Sequence, residues 1–309
     1  MYQFRHIARE LAANAAMKFP GIKGRRVRSG RTIGLPADLK AKFIIAQFEF
    51  FIDTIGWENI QGKIIAEIGP GDAIPLAPLF LGAGAKRYVA VDRFLGDVRG
   101  PQALALYDSV VKIAPRRAVD GLTALNRSNG YRSIADLIDS ATHVLLSTAP
   151  IEDPPDGLGI QADYLLSFNV CEHLSDLSRA LHGMCLLLAP TGTMIHRVDY
   201  GPHDIWQSYD NPLTFLTIPR SLWQLMSTNR GCPNRVRHAQ LLSMLRSLGL
   251  KPLDRIGRRA AAADIDEAKP YLSPEFRAMS EDELAVLDAE VVCSFGNVPL
   301  LGHKFNDPS

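Results

Sequence analysis

One stretch limits the fold more than any other. Lys63–Ile68 (KIIAEI) is a short, largely β-branched run that passes directly into Gly69-Pro70-Gly71-Asp72. Arg87–Val91 (RYVAV) is a second such run and ends in Asp92. Glycines at a strand end let the main chain approach a ligand where a side chain would collide. The acid closing the next strand is placed to accept hydrogen bonds from ribose hydroxyls. Short apolar runs recur at His143–Ser147, Tyr164–Phe168, Thr193–Val198 and Ala289–Phe295. Stretches of helical period lie at Pro75–Leu81, Pro101–Ile113, Ile134–Asp139, Asp176–Leu188 and His238–Leu248. Alternation of this kind predicts an open, doubly wound, mostly parallel α/β sheet.

The ends of the chain differ from its middle. Residues 2–18 repeat Phe4, Ile7, Leu11 and Ala15 at helical steps, and Asp38 to about Ile55 reads as a second, strongly apolar helix. Between them Gly21–Gly34 (GIKGRRVRSGRTIG) is a basic linker with no core of its own. Residues 1–42 hold ten lysines and arginines against two acids, and residues 260–309 hold three against ten, although the whole chain is only +1. Such asymmetry marks either an anionic partner at the basic end or a pair of solvated termini. Ser280 followed by Glu283 is a capping box, so a last helix is expected from Glu281. These boundaries divide the chain into an N-terminal helical and basic extension (1–58) and a main domain (59–309) with an insert around 200–237.

Other classes drop out on composition. Hydrophobic residues make up 47% and charged residues 22%, which excludes intrinsic disorder. No apolar run approaches the roughly 20 residues of a membrane span. Cys171, Cys185, Cys232 and Cys293 form no CxxC pair, hence neither a zinc knuckle nor a disulfide framework. Arg5, Arg9 and Glu10 stand where a signal peptide needs an apolar run. A reducing cytoplasm is the expected location.

The glycine turn serves dinucleotide sites and adenosyl-cofactor sites alike. A pyrophosphate turn wants a third small residue, and Ile74 stands at that position. Glu67 would also repel a pyrophosphate, whereas it suits a cationic ligand such as an amino group or a sulfonium.

The segment Glu67-Ile68-Gly69-Pro70-Gly71-Asp72-Ala73 resembles the first motif, E/D-x-G-x-G-x-G, of the class I S-adenosylmethionine-dependent methyltransferases, with Ala73 in place of the last glycine. Further segments match in order: Asp92 ending the second strand, Thr148-Ala149-Pro150 after the third, Asn169-Val170-Cys171-Glu172-His173 after the fourth, and Leu187–Gly192 like the L-x-P-G-G turn before the fifth. The resemblance spans about Ile60 to Phe295. It implies a seven-stranded Rossmann-like sheet and a pocket for S-adenosyl-L-methionine, leaving S-adenosyl-L-homocysteine as product. Its cofactor contacts would be Glu67, Gly69, Pro70, Gly71, Asp72, Asp92, Arg93, Ala149, Pro150, Asn169 and Val170. Leu222–His238, with its W-x-L-M and N-R-x-R patterns, resembles bacterial sugar- and polysaccharide-associated O-methyltransferases. That likeness implies Trp223 as a stacking platform and Asn234 and Arg237 as donors to an acceptor, with Arg235 beside them. The plain alternative is an amphipathic helix with Trp223 and Met226 in the core.

His203 leaves the fifth strand on the edge where open sheets bind ligands, and Asp199 or Asp204 is near enough in sequence to orient it. A hydroxyl acceptor must lose a proton as the methyl arrives, and histidine is the usual base near neutrality. His203 with Asp199 is therefore the expected catalytic pair and His173 the next candidate, against purely structural roles for both histidines. His143 reads as a sheet histidine. Asp199, His203 and Asp204 also offer donors to a divalent ion, but nothing in their spacing requires one, and no metal is expected. The expected reaction is methyl transfer to a hydroxyl of a small-molecule, sugar or glycan acceptor. Two rivals remain: an RNA methyltransferase using Arg25, Arg26, Arg28 and Arg31, and a degenerate protein that only binds cofactor. Nucleic acid is disfavoured, since the linker lacks interleaved aromatics and no N/D-P-P-Y/F motif follows the fourth strand. A homo-oligomer stays open.

Overall fold

The computed structural model describes residues 2–19, 37–154, 159–228 and 233–296. The arginines of the basic linker and Cys232 lie outside the described residues.

Seven strands form one sheet: β1 (Ile64–Ile68), β2 (Arg87–Val91), β3 (Val144–Ser147), β4 (Ala162–Phe168), β5 (Leu188–Asp199), β6 (Lys251–Ile256) and β7 (Asp288–Ser294). Their order is β3-β2-β1-β4-β5-β7-β6. Only β7 runs antiparallel to its neighbours. The chain steps outward from β1 to β2 and β3, then returns to the other side of β1 as β4. That reversal opens a crevice at the carboxyl ends of β1 and β4, where such sheets hold ligands. This is the doubly wound, seven-stranded, mostly parallel sheet that the sequence led us to expect.

β1 and β2 are buried on both faces, which is why their sequences read as unbroken apolar runs. One face is covered by α2 (Ala37–Ile55), α3 (Leu76–Gly82), α4 (Pro101–Ile113), α5 (Arg116–Asn129) and α6 (Ile134–Asp139). Phe48, Phe51, Phe80, Tyr88 and Tyr107 pack there. The other face is covered by α7 (Leu177–Leu187) and α9 (His238–Ser247), through Leu181, Met184, Leu241 and Leu245.

A third apolar cluster lies beyond the sheet. It joins Trp206, Phe215, Ile218 and Trp223 to Ile265, Phe276 and Leu284, contributed by segments including α8 (Arg220–Ser227), α10 (Ala262–Ala268) and α11 (Glu281–Ala285). Ile7 of α1 (Phe4–Ala16) completes it. Asn14 also donates to the Leu225 carbonyl at 2.7 Å. Helices α1 and α2 therefore pack against different cores. The Ser280 hydroxyl accepts from the Glu283 amide, so the expected capping box starts α11.

Three segments differ from expectation. β6 (KPLDRI) lacks an apolar pattern because it is an edge strand, paired only to β7 and largely exposed. Helix α5 buries only Ala118 and Leu122, and so shows little apolar period. It packs closely on α3, where a Cβ at Gly121 would meet the Gly82 carbonyl oxygen at 2.0 Å. The turn expected at Leu187–Gly192 is instead the start of β5, irregularly paired with β4 around Ala162 and Tyr164.

Candidate active site at the carboxyl ends of the strands

The glycine turn closes over the end of β1. Gly69 and Gly71 have φ of +74° and +78°, a region that side chains other than glycine rarely adopt. A Cβ on Gly69 would come within 2.6 Å of Val170, which brings the end of β4 against the turn. At Gly71 no atom of the described residues beyond its chain neighbours lies within 4 Å of that position, so among them the turn opens onto free space. The Gly71 amide donates to Asp92 Oδ2 at 2.8 Å, and the Phe94 amide donates to Oδ1 at 2.6 Å. Asp92 thus fixes the turn. A carboxylate has about four acceptor sites, so each oxygen retains one for a ligand.

Glu67 sits beneath this turn, 8% exposed, and Tyr88 Oη donates to its Oε2. Burial, with the Asp92 charge nearby, pushes the Glu67 carboxyl up to about 8. Burial raises Asp92 as well. Two carboxyls that resist ionisation together form a site that a cation relieves and an anion worsens. At the end of β4, Asn169 is held at φ +55°, and its buried Oδ1 has no hydrogen-bond partner among the described residues. An unpaired buried acceptor suits an ammonium donor. These observations fit a ligand carrying ribose hydroxyls and positive charge.

Other expected contacts divide. The Asp92 amide donates to the Ser147 carbonyl at 3.0 Å, so the Ala149-Pro150 loop begins beside the same edge. Asp72 shares that edge, and its charge acts on the Lys40 amine of α2 against the desolvation that lowers its pKa. Arg93 lies on the rim, half-exposed, with Nη2 3.7 Å from Glu152 Oε1 and its guanidinium over Phe94.

A second group forms where β4 and β5 end. Glu172 and His173 lie in a single 3-10 turn after β4, and His203 follows β5. The His173 and His203 rings meet edge-on at 4.9 Å. His203 Nε2 is buried without a hydrogen-bond partner among the described residues, 3.9 Å from Asp199 Oδ2. Asp199 therefore lies beside His203 without bonding it. Its Oδ1 accepts from the Gly201 amide at 2.8 Å. Glu172 is 4% exposed, and neither of its oxygens has a hydrogen-bond partner of normal geometry among the described residues. Burial pushes its carboxyl up to about 8. Sequence reasoning placed Glu172 near the pocket but gave it no role; its burial depends on contacts across the fold.

The expected acceptor-binding residues have roles within the fold. Trp223 is buried in the third core, and its Nε1 donates to the Pro233 carbonyl at 2.8 Å. Arg235 lies between the Trp223 and Phe276 rings. Arg237 is 0% exposed, and its terminal nitrogens donate to the carbonyls of Tyr200 (2.6 Å), Leu284 (3.0 Å) and Val286. Asn234 Nδ2 donates to the carbonyls of Cys171 (2.8 Å) and Leu174 (2.9 Å), and its amide donates to that of Glu172 (2.7 Å). This segment holds the two loops that carry Glu172, His173 and His203, and most of its donors go to main-chain carbonyls, with Arg235 also donating to Glu275 Oε1 at 2.8 Å.

No family model matches the chain, and no curated protein matches it. Among solved structures it is similar to a candidate sarcosine dimethylglycine methyltransferase from Galdieria sulphuraria, with 13% identity over 84% of this chain and 86% of that one (TM-score 0.43). It is also similar to the YcgJ protein from Bacillus subtilis, with 12% identity over 80% and 97% (TM-score 0.41). An S-adenosylmethionine-dependent methyltransferase from Mesorhizobium loti shares 14% identity over 76% and 91% (TM-score 0.39).

Proposed function

We propose that the chain is an S-adenosylmethionine-dependent methyltransferase acting on a hydroxyl of a small-molecule, sugar or glycan acceptor. The observation that carries this reading is the acid-lined glycine turn. Gly71 opens onto free space, its amide is tied to Asp92, and buried Glu67 lies beneath. Asp92 and the turn would hold the ribose. Glu67 and Asn169 would face the cationic methionine end. A pyrophosphate would bring negative charge onto two carboxyls that already resist ionisation, which disfavours a dinucleotide.

The cofactor, when bound, supplies a methyl group activated on a sulfonium. The protein's share is then alignment, which in favourable cases is worth about 7–11 kcal/mol, together with handling of the acceptor's proton. Glu172, His173 and His203 are the groups grouped for that second task. The unpaired buried atoms of Glu172 and His203 support a hydroxyl acceptor, and the sequence after β4 is Asn169-Val170-Cys171-Glu172 in place of an amine-methylation motif. No helix among the described residues is long and apolar enough to cross a membrane. The free thiols of Cys171, Cys185 and Cys293 suit the cytoplasm.

The test is transfer of label from methyl-labelled S-adenosylmethionine to panels of sugar and phenol acceptors, with product masses. Label on an acceptor oxygen supports the reading. Turnover confined to amines or to RNA rejects the hydroxyl assignment.

A further inference from the structure

We infer that Glu172, His173 and His203 form a binding site for one divalent transition-metal cation. The donor atoms of all three residues lie within 4.8 Å of one another. Two further observations point to a missing ligand. Glu172 is 4% exposed with neither oxygen in a hydrogen bond of normal geometry among the described residues, and His203, in the same cluster, has its Nε2 buried and likewise without one. Buried polar atoms are nearly always hydrogen-bonded, so three unpaired ones in one cluster need a common explanation. A cation is a single partner that can satisfy all three.

The donor set indicates which cation. Two imidazoles and one carboxylate favour Zn²⁺, Co²⁺ or Mn²⁺, whereas Mg²⁺ and Ca²⁺ prefer oxygen donors alone. Two histidines and a glutamate leave coordination positions open. Donors around a tetrahedral zinc stand about 3.4 Å apart, given bonds of about 2.1 Å. The cluster therefore closes by at most about 1.4 Å, a movement available to side chains on two loops. Those loops are held from below by Asn234 on the Glu172 turn and by Arg237 on the Tyr200 carbonyl. Asn234 is thus a positioning residue for the site. This set draws on both strand ends, whereas the sequence offered only Asp199, His203 and Asp204 as donors and gave no reason to expect a metal.

Cation binding stands by itself, but its use rests on the methyltransferase reading. A bound cation would take the acceptor hydroxyl at an open position and lower its pKa, so that its proton passes to solvent water before the oxygen takes the methyl from the sulfonium and S-adenosylhomocysteine leaves. His203 Nε2 is then a ligand and cannot also take the proton.

The test uses full-length protein stripped with a chelator and titrated with Co²⁺, whose visible d–d bands report coordination. One Co²⁺ per chain is expected, displaced by Zn²⁺, with affinity at least about 100-fold weaker in Glu172→Gln and in His203→Ala. Glu172→Gln keeps the side chain's size and removes a buried ionisable group, so it answers the question even if His203→Ala fails to fold. His143→Ala, outside the cluster, should bind Co²⁺ like the wild type. No Co²⁺ or Zn²⁺ uptake, or uptake that both variants retain, overturns the inference. S-Adenosylhomocysteine is titrated into the same samples. Its failure to bind rejects the methyltransferase reading and leaves the metal result standing. Normal binding without metal uptake leaves that reading intact, with His203 as the direct proton acceptor.

Discussion

Glu67→Gln should change how stability depends on pH. The Glu67 carboxyl is pushed up to about 8 in the folded protein, against about 4.3 in an unfolded chain. Between these values the unfolded chain has lost a proton that the folded protein keeps. Stability therefore falls as pH rises through this window, and levels off above it once both states are ionised. One such group contributes up to about 1.4 kcal/mol per pH unit, or about 5 kcal/mol across the window. In chelator-stripped protein Glu172, raised to about 8 by its own burial, adds a similar slope. Glutamine at position 67 can still accept from Tyr88 but has no proton to lose. Urea unfolding followed by circular dichroism from pH 5 to 8 should show the slope reduced by about half in Glu67→Gln. The variant should gain most over the wild type at pH 8. An unchanged slope would mean that Glu67 is ionised in the folded protein and that the burial argument is wrong.

Three further outcomes follow from the site. Asp92→Ala should weaken S-adenosylhomocysteine binding by about 1.5–3 kcal/mol in calorimetry, because it removes ribose acceptors and frees the Gly71 and Phe94 amides. His203→Ala should lower kcat by about 10²–10⁴ while product binding is kept; a variant retaining more than about a third of wild-type kcat places the proton chemistry elsewhere. Trp223→Ala should cost about 3–5 kcal/mol of stability by thermal unfolding, whereas an acceptor-stacking residue would raise KM and leave Tm alone.

The parts legible in the sequence were those where local pattern and tertiary role coincide. β1 and β2 are buried on both faces and end at a glycine pair and an acid, so a short window suffices to read them. Gly69, Gly71 and Asp92 declare themselves by position at strand ends. β6 does not, because an edge strand need not bury an alternating face, and α5 does not, because only Ala118 and Leu122 face inward. Asn234, Arg235 and Arg237 look like donors awaiting a ligand. A sequence window cannot show that the carbonyls of Tyr200, Leu284 and Cys171 are folded against them. The Glu172–His173–His203 group joins residues thirty positions apart, and only the parallel pairing of β4 with β5 brings them together.

The measurement that bears most directly on the central claim is calorimetric binding of S-adenosylmethionine, S-adenosylhomocysteine and NAD, in buffers of different ionisation enthalpy. The cationic methionine end should ionise Glu67, so both adenosyl ligands should bind with release of up to about one proton near neutral pH. That release should disappear in Glu67→Gln, and NAD should bind far more weakly. Tighter binding of NAD, or adenosyl binding without any proton release, would contradict a cation-accepting adenosylmethionine pocket at the Gly69–Asp72 turn.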